Sequence, residues 1–484
     1  MKRIILPLVL VFTAAATSST AQPLRLSLDE AIRRGLDTSH RLAAVVAAGE
    51  LARAVVDERH AGALPQIAAQ AGYARTNHVD VFGVLLPGNQ LRVIYPDVPD
   101  NYGTRLDLQW PIYTGGRVDA LERAARSEAG ASADELAVAR SDLRLEIARA
   151  YWALVTATES GRVVGESLNR VGAHLRDIRN QFTAGLVPPN EVLIVEAQES
   201  RQRMLSIQAR MTRDNAEAEL ARLVGAPGTP ISVQSQVTNQ SVTCQSPVTS
   251  RQSTVPFPTG VLGLVTGDCG AGDLRLTTDA PTTDRLSTGD LGLVTGALLD
   301  QARRQRGERR ALVKRITASD ERQQAALAGM RPIVTVGGGF DYARPNPRIF
   351  PRAEAWKESW DAGVNLTWPL FDGGRARAEV AETAATARAM RERLAEFDSV
   401  LAVELRQRVN EIESSRAAIE AAEDAVRSAA EARRVVGDRF TAGVTVSTDV
   451  LDAQVALLQA ELDRTQAIAN ARLAEARLDR ALGK

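Results

Sequence analysis

Few residues in this chain are equipped for catalysis or metal binding. His40, His60, His78 and His174 are its only histidines, and Cys244 and Cys269 its only cysteines. Metal sites need ligands at recurring short spacings, and none of the histidines is so spaced. No Gly-x-Ser-x-Gly elbow, phosphate loop or HExxH motif occurs. The histidines read as surface or core fillers, so neither an enzyme, a cofactor nor a metal centre is expected. In an oxidising compartment Cys244 and Cys269 could form one disulfide closing a polar loop, and the sequence leaves that pairing open. As a metal or catalytic pair they lack a nearby histidine. The 59 basic and 59 acidic residues cancel, which argues against a nucleic-acid partner.

The N-terminus points to export. Lys2 and Arg3 precede an apolar run from Ile4 to about Ala16, then "TSSTAQP". Ser19 and Ala21 fit the minus-three and minus-one positions of a signal-peptidase site, so residues 1–21 read as a signal peptide. That run is shorter than the roughly 20 residues a spanning helix needs, and no other segment reaches that length. A membrane part would have to be built from strands.

The rest of the chain is one unit written twice. "WPIYTGGR" (Trp110–Arg117) recurs as "WPLFDGGR" (Trp368–Arg375), 258 residues on. "FTAG" at Phe182–Gly185 recurs at Phe440–Gly443 with the same offset. Constant register across that span is the behaviour of a packed helix whose length matters. Upstream of the joins the copies loosen, and the 29 residues Thr76–Thr104 read as exposed loop.

Each repeat therefore reads helix, strand, loop, strand, long helix, tight turn, helix. Ser27 with Glu30 forms a capping box for the first helix. Before the second join, Trp360, Val364, Leu366 and Trp368 share one strand face, with Asp361, Asn365 and Thr367 on the other. Trp360 and Trp368 are about 26 Å apart along such a strand, close to the apolar band between the aromatic girdles of outer-membrane barrels. Four strands cannot close a barrel, but oligomerisation would remove the open edges. The helix after the second join, about Ala376–Arg439, carries a heptad seam through Ile412, Ile419 and Val426. At each join, Trp110 and Trp368 read as an inner girdle, and Pro111 and Pro369 as the end of strand pairing. Gly115, Gly116, Gly373 and Gly374 allow the change from strand to helix. The domains expected are a first repeat over 22–225, a Ser/Thr/Gly-rich insertion over 226–297 that reads as loop or partly disordered, and a second repeat over 298–484.

These motifs together resemble the outer-membrane efflux protein family, the TolC-like channels. The resemblance rests on the export signal, the doubled strand-pair and long-helix unit, "PLFDGGR", and the turn "FTAG" followed six residues later by Glu-Val-Leu or Asp-Val-Leu. It implies a mainly α fold with a membrane β-barrel. Three chains would form a twelve-stranded outer-membrane barrel and a long periplasmic α-helical barrel. It further implies a passive exit channel for tripartite efflux or type I secretion, contacting outer-membrane lipid, a periplasmic membrane-fusion adaptor and an inner-membrane pump. Adaptor-contacting tips carried over are Phe182, Gly185, Glu191 and Leu193 in the first copy, and Phe440, Gly443 and Leu451 in the second. Asp449 and Asp452 match a pair of aspartates that narrows the periplasmic aperture in a relative. Helix-terminus electrostatics offers Asp449 a plainer role. That relative has an arginine in this turn where Thr445 stands here, so its salt-bridge lock does not carry over. A periplasmic coiled-coil scaffold without a pore is the alternative, and membrane fractionation separates the two.

Overall fold

The computed structural model describes residues 24–88, 90–233 and 288–484. The expected signal peptide and the pair Cys244 and Cys269 lie outside the described residues. The first repeat runs β1 (Leu24–Leu26), α1 (Leu28–Thr38), α2 (His40–Ala61), β2 (Gln66–Arg75), β3 (Phe82–Leu86), β4 (Gln90–Tyr95), β5 (Asp100–Tyr113), α3 (Arg117–Thr183) and α4 (Pro189–Leu223). After β6 (Ile231–Val233), the second runs α5 (Thr288–Gln305), α6 (Gly307–Ala328), β7 (Ile333–Arg344), β8 (Lys357–Thr367), α7 (Arg375–Thr441) and α8 (Ser447–Leu482).

The long helices α3 and α7 are both 67 residues and start 258 positions apart. At the usual helical rise each reaches about 100 Å. Alanine-rich sequence without internal proline sustains them, and packing fixes their neighbours. α3 packs on α4 and α8, and α7 packs on α8, giving a layer ordered α4–α3–α8–α7. Two core clusters repeat the sequence offset in space. Leu143 and Ile147 of α3 pack beside Leu223 and Val224, and Leu401 and Leu405 of α7 pack beside Ala481 and Leu482.

The entry helices differ from the single rods expected. Half of the capping box forms: the Ser27 hydroxyl accepts from the Glu30 amide at 3.3 Å, while the Glu30 carboxylate accepts from Arg34 instead of reaching back. The helix then breaks at Ser39, which caps α2 by accepting from the Leu42 amide. The second repeat breaks at Arg306, whose buried guanidinium binds Glu308, Glu404 and the Ala481 carbonyl. In each case a polar side chain satisfies backbone or charge at the break.

Strands β2, β5, β7 and β8 form one antiparallel sheet in that order, with β5–β7 joining the repeats. The 76–104 segment is more ordered than a loop, since β3 and β4 make a separate hairpin and β5 already starts at Asp100. Pairing does not end at Pro111, which stands opposite Thr335 and is followed by a bulge. A bulge accommodates the missing N–H. The 226–297 segment is structured at both margins. β6 pairs with β1 in parallel, and α5 begins at Thr288.

Candidate conduit surfaces and periplasmic tips

The sheet has two chemically opposed faces. Ile67, Trp360 and Val364 are 70%, 75% and 71% exposed, and Leu106, Phe340 and Leu366 share their face. Such a surface is unstable in water and suited to lipid. The opposite face carries Arg105, Asp107, Gln109, Asp341, Asp361 and Asn365. Among the described residues no helix is long and apolar enough to cross a membrane.

Aromatic side chains mark both ends of the apolar face. At one end Tyr73 lies 5.0 Å from Tyr102, and Trp356 stacks on Tyr342 at 5.0 Å between ring centroids. At the other, the Trp110 indole N–H donates to the Ala63 carbonyl at 3.2 Å, and that of Trp368 to Met330 at 3.3 Å. The same bond thus ties each strand end to the helix before it. Trp360 is not the far girdle that strand spacing suggested. It pairs with Phe340 inside the band, and Trp356, in the connection before β8, takes the boundary. From Tyr102 to Trp110 the strand runs about 27 Å.

The joins use left-handed glycines. Gly115 and Gly116 have φ of 66° and 85°, and Gly373 and Gly374 have 69° and 90°. Asp372 caps α7 by accepting from the amides of Gly374 at 3.0 Å and Ala376 at 2.8 Å. The Ala376 amide above all, with the Gly374 amide and the Arg375 charge, holds its carboxyl below the usual range. Asp372 is a functional cap that motif matching missed, although an aspartate just before a helix start is a visible signal.

The two tips turn alike. Gly185 and Gly443 have φ of 75° and 73°, and their amides reach back to the Phe182 and Phe440 carbonyls at 2.9 Å. Their surroundings differ. Phe182 and Leu193 are exposed, and Glu191 lies in the first turn of α4. Leu451, at the position matching Leu193, is only 6% exposed and packs with Val171, Leu175, Ile178 and Val195. Leu451 is therefore a core residue of the tip and cannot serve as an adaptor contact. Phe440 packs against the same cluster. The reason is position in the layer, because α8 lies inside it and α4 at its edge. His174, one of the supposed fillers, is buried here. Its Nε2 lies 2.8 Å from the Ser447 hydroxyl, and its ring meets Phe440 edge-on at 5.2 Å. Burial pushes its pKa below the ordinary imidazole value.

Asp449 and Asp452 both stand exposed at the start of α8. The Thr445 hydroxyl donates to the Asp449 carboxylate. Neither aspartate has an arginine or lysine partner among the described residues. Asp449 thus acts as a turn acceptor, while its charge and that of Asp452 remain available to solutes. No group of residues able to hold a metal occurs among the described residues.

Solved structures share this architecture. The chain is similar to the outer-membrane protein VceC of Vibrio cholerae at 19% identity and a TM-score of 0.69, over 94% of this chain and 96% of that one. It is similar to the outer-membrane channel CmeC of Campylobacter jejuni at 16% identity and a TM-score of 0.70, over 94% and 85%. For the open MtrE channel of Neisseria gonorrhoeae the values are 19%, 0.67, 94% and 88%. No curated protein sequence matches the chain. The model of the outer membrane efflux proteins matches residues 31–226 and 298–484, the two repeats, and that family comprises channels rather than enzymes. The sheet with a lipid-suited face, the paired long helices and this match agree: the chain belongs to the outer membrane efflux protein family.

Proposed function

We propose that three copies of this chain close into one conduit that serves as the passive exit of an efflux or type I secretion machine. The observation that carries this reading is that both layers are open on both sides. The sheet ends in unpaired β2 and β8, and the helical layer ends in α4 and α7. Unpaired strand edges cannot persist in lipid, so β2 of one protomer must meet β8 of the next. Three protomers then give twelve strands, enough for a polar lumen bounded by the Arg105 face. The exposed apolar edge of α4, with Ile207 and Met211 more than half exposed, supports the same closure below the membrane. A periplasmic scaffold would have no use for the apolar sheet face.

The tips carry the docking. Phe182 and Leu193 offer an apolar contact for the hairpin of a periplasmic adaptor, and the Gly185 and Gly443 turns shape the rim. Asp449 and Asp452 become rings of three carboxylates at the aperture, which favour cations. Energy comes from the inner-membrane pump, so the conduit needs no chemistry of its own. Purified protein in a planar bilayer should conduct ions in steady steps; a bilayer that stays insulating contradicts the reading.

A further inference from the structure

Resting on the conduit reading, we propose that the extracellular mouth holds a second charge filter, latched by Arg348, that narrows the exit and whose balance of charges sets which ions pass. Nothing about the aperture at the other end requires it.

The filter begins with Arg105 on the central strand β5. Its Nε, Nη1 and Nη2 atoms meet carboxylates on three strands: Asp107 at 2.6 Å, Asp341 at 2.6 Å and Asp361 at 3.3 Å. One cation thus spans β5, β7 and β8 across the polar face. The guanidinium lies against Gly339, where a Cβ would stand 2.2 Å from Nη2 and 2.6 Å from Cζ. A side chain there would push the guanidinium aside.

Arg348 arrives from another direction. It belongs to the connection between β7 and β8, residues 345–356, at the end of the sheet away from the joins. Its Nη1 meets Asp361 at 2.7 Å, and its Nε lies 3.8 Å from Asp341. Both carboxylates face the lumen side, opposite Phe340, Tyr342 and Trp360. The connection must therefore fold over the mouth instead of pointing away from the membrane. Asn346 fixes that course. It is 2% exposed and donates to the Lys357 carbonyl and the Ser359 hydroxyl, each at 3.0 Å, while its own carbonyl accepts from the Arg348 amide.

The cluster lies on the rung of the outer aromatic boundary, since Arg105 pairs with Asp341 and its neighbour Thr104 with Tyr342. Two guanidinium groups stand against three carboxylates, and Lys357, on the same face next beyond Ser359, balances the count. In a closed trimer this becomes a balanced belt of charge around a mouth that three inward connections have narrowed, so that losing one charge tips it. A belt left with one sign of charge concentrates the opposite ions over a distance set by ionic strength.

The test is single-channel recording on the full-length protein in a salt gradient. Arg348→Ala removes the latch and one positive charge per protomer, so conductance should rise and the reversal potential should move toward cation selectivity. Asp361→Asn removes a negative charge at the same place and should move the reversal potential the opposite way. Both changes leave β5 and β7 joined through Arg105, Asp107 and Asp341 and leave the backbone ladder from β7 to β8 in place, and recovery of each variant as wild-type oligomer controls for assembly. A conducting wild type whose conductance and selectivity are untouched by either variant would overturn the filter and leave the conduit reading standing. A wild type that conducts nothing would overturn both.

Discussion

The joins allow backbone strain and steric crowding to be separated. Gly115 and Gly373 are equivalent positions with φ of 66° and 69°. An L residue in that region pays about 1–2 kcal/mol. At Gly373 nothing lies within 4 Å of where a Cβ would stand, so Gly373→Ala should cost about that strain alone. At Gly115 the Cβ would meet the Arg331 Cβ at 2.8 Å and the Ala328 carbonyl at 3.1 Å. Neither neighbour is the far end of a flexible side chain, so overpacking adds about 1–3 kcal/mol. Asparagine tolerates the left-handed region better than alanine, so Gly373→Asn should be the mildest of the three. The assay is the denaturant midpoint of the detergent-solubilised oligomer, with all variants compared at one protein concentration. The order expected, from most to least stable, is wild type, Gly373→Asn, Gly373→Ala, Gly115→Ala. Equal losses at Gly115 and Gly373, or a neutral Gly373→Ala, would refute the assignment of the joins as left-handed hinges.

Other expectations follow from the tips. Leu451→Ala should destabilise the tip by about 2–5 kcal/mol, whereas Leu193→Ala should leave the protein's own stability nearly unchanged and weaken adaptor binding; thermal melts and pull-down with the adaptor measure the two. Because burial lowers the pKa of His174, the native tip binds fewer protons than the unfolded chain, and its stability is full above the ordinary value of 6.5 and falls as pH drops below it. Amide exchange in the first turns of α8, corrected for intrinsic rate, should quicken on acidification, and a pH-independent profile would count against this. Replacing Asp449 and Asp452 together by alanine should reduce cation preference in bilayers; unchanged selectivity removes them from the aperture.

The duplicated architecture was legible because its signals are local and periodic. "GGR" at a fixed offset, alternation into Trp368 and the long proline-free run after the second join each follow from one element's geometry. What escaped depends on contacts between elements. Leu193 and Leu451 carry the same motif position, yet one is a layer edge and the other a core residue, a difference that no single repeat contains. Trp360 looked like a boundary residue because strand spacing ignores register, and the Phe340 pairing put it inside the band. His174 fits the core half of its reading as a filler, but its partner Ser447 stands 273 residues away and could not be read. The Arg105 network joins residues up to 256 positions apart and was invisible for the same reason.

The central claim is that open edges of single chains close into one tube. Native mass spectrometry of the protein extracted from outer membranes tests it most directly. The account predicts a single dominant species of three chains, with no monomer surviving in lipid-like detergent. A stable monomer or dimer, or an open series of larger assemblies, would contradict it.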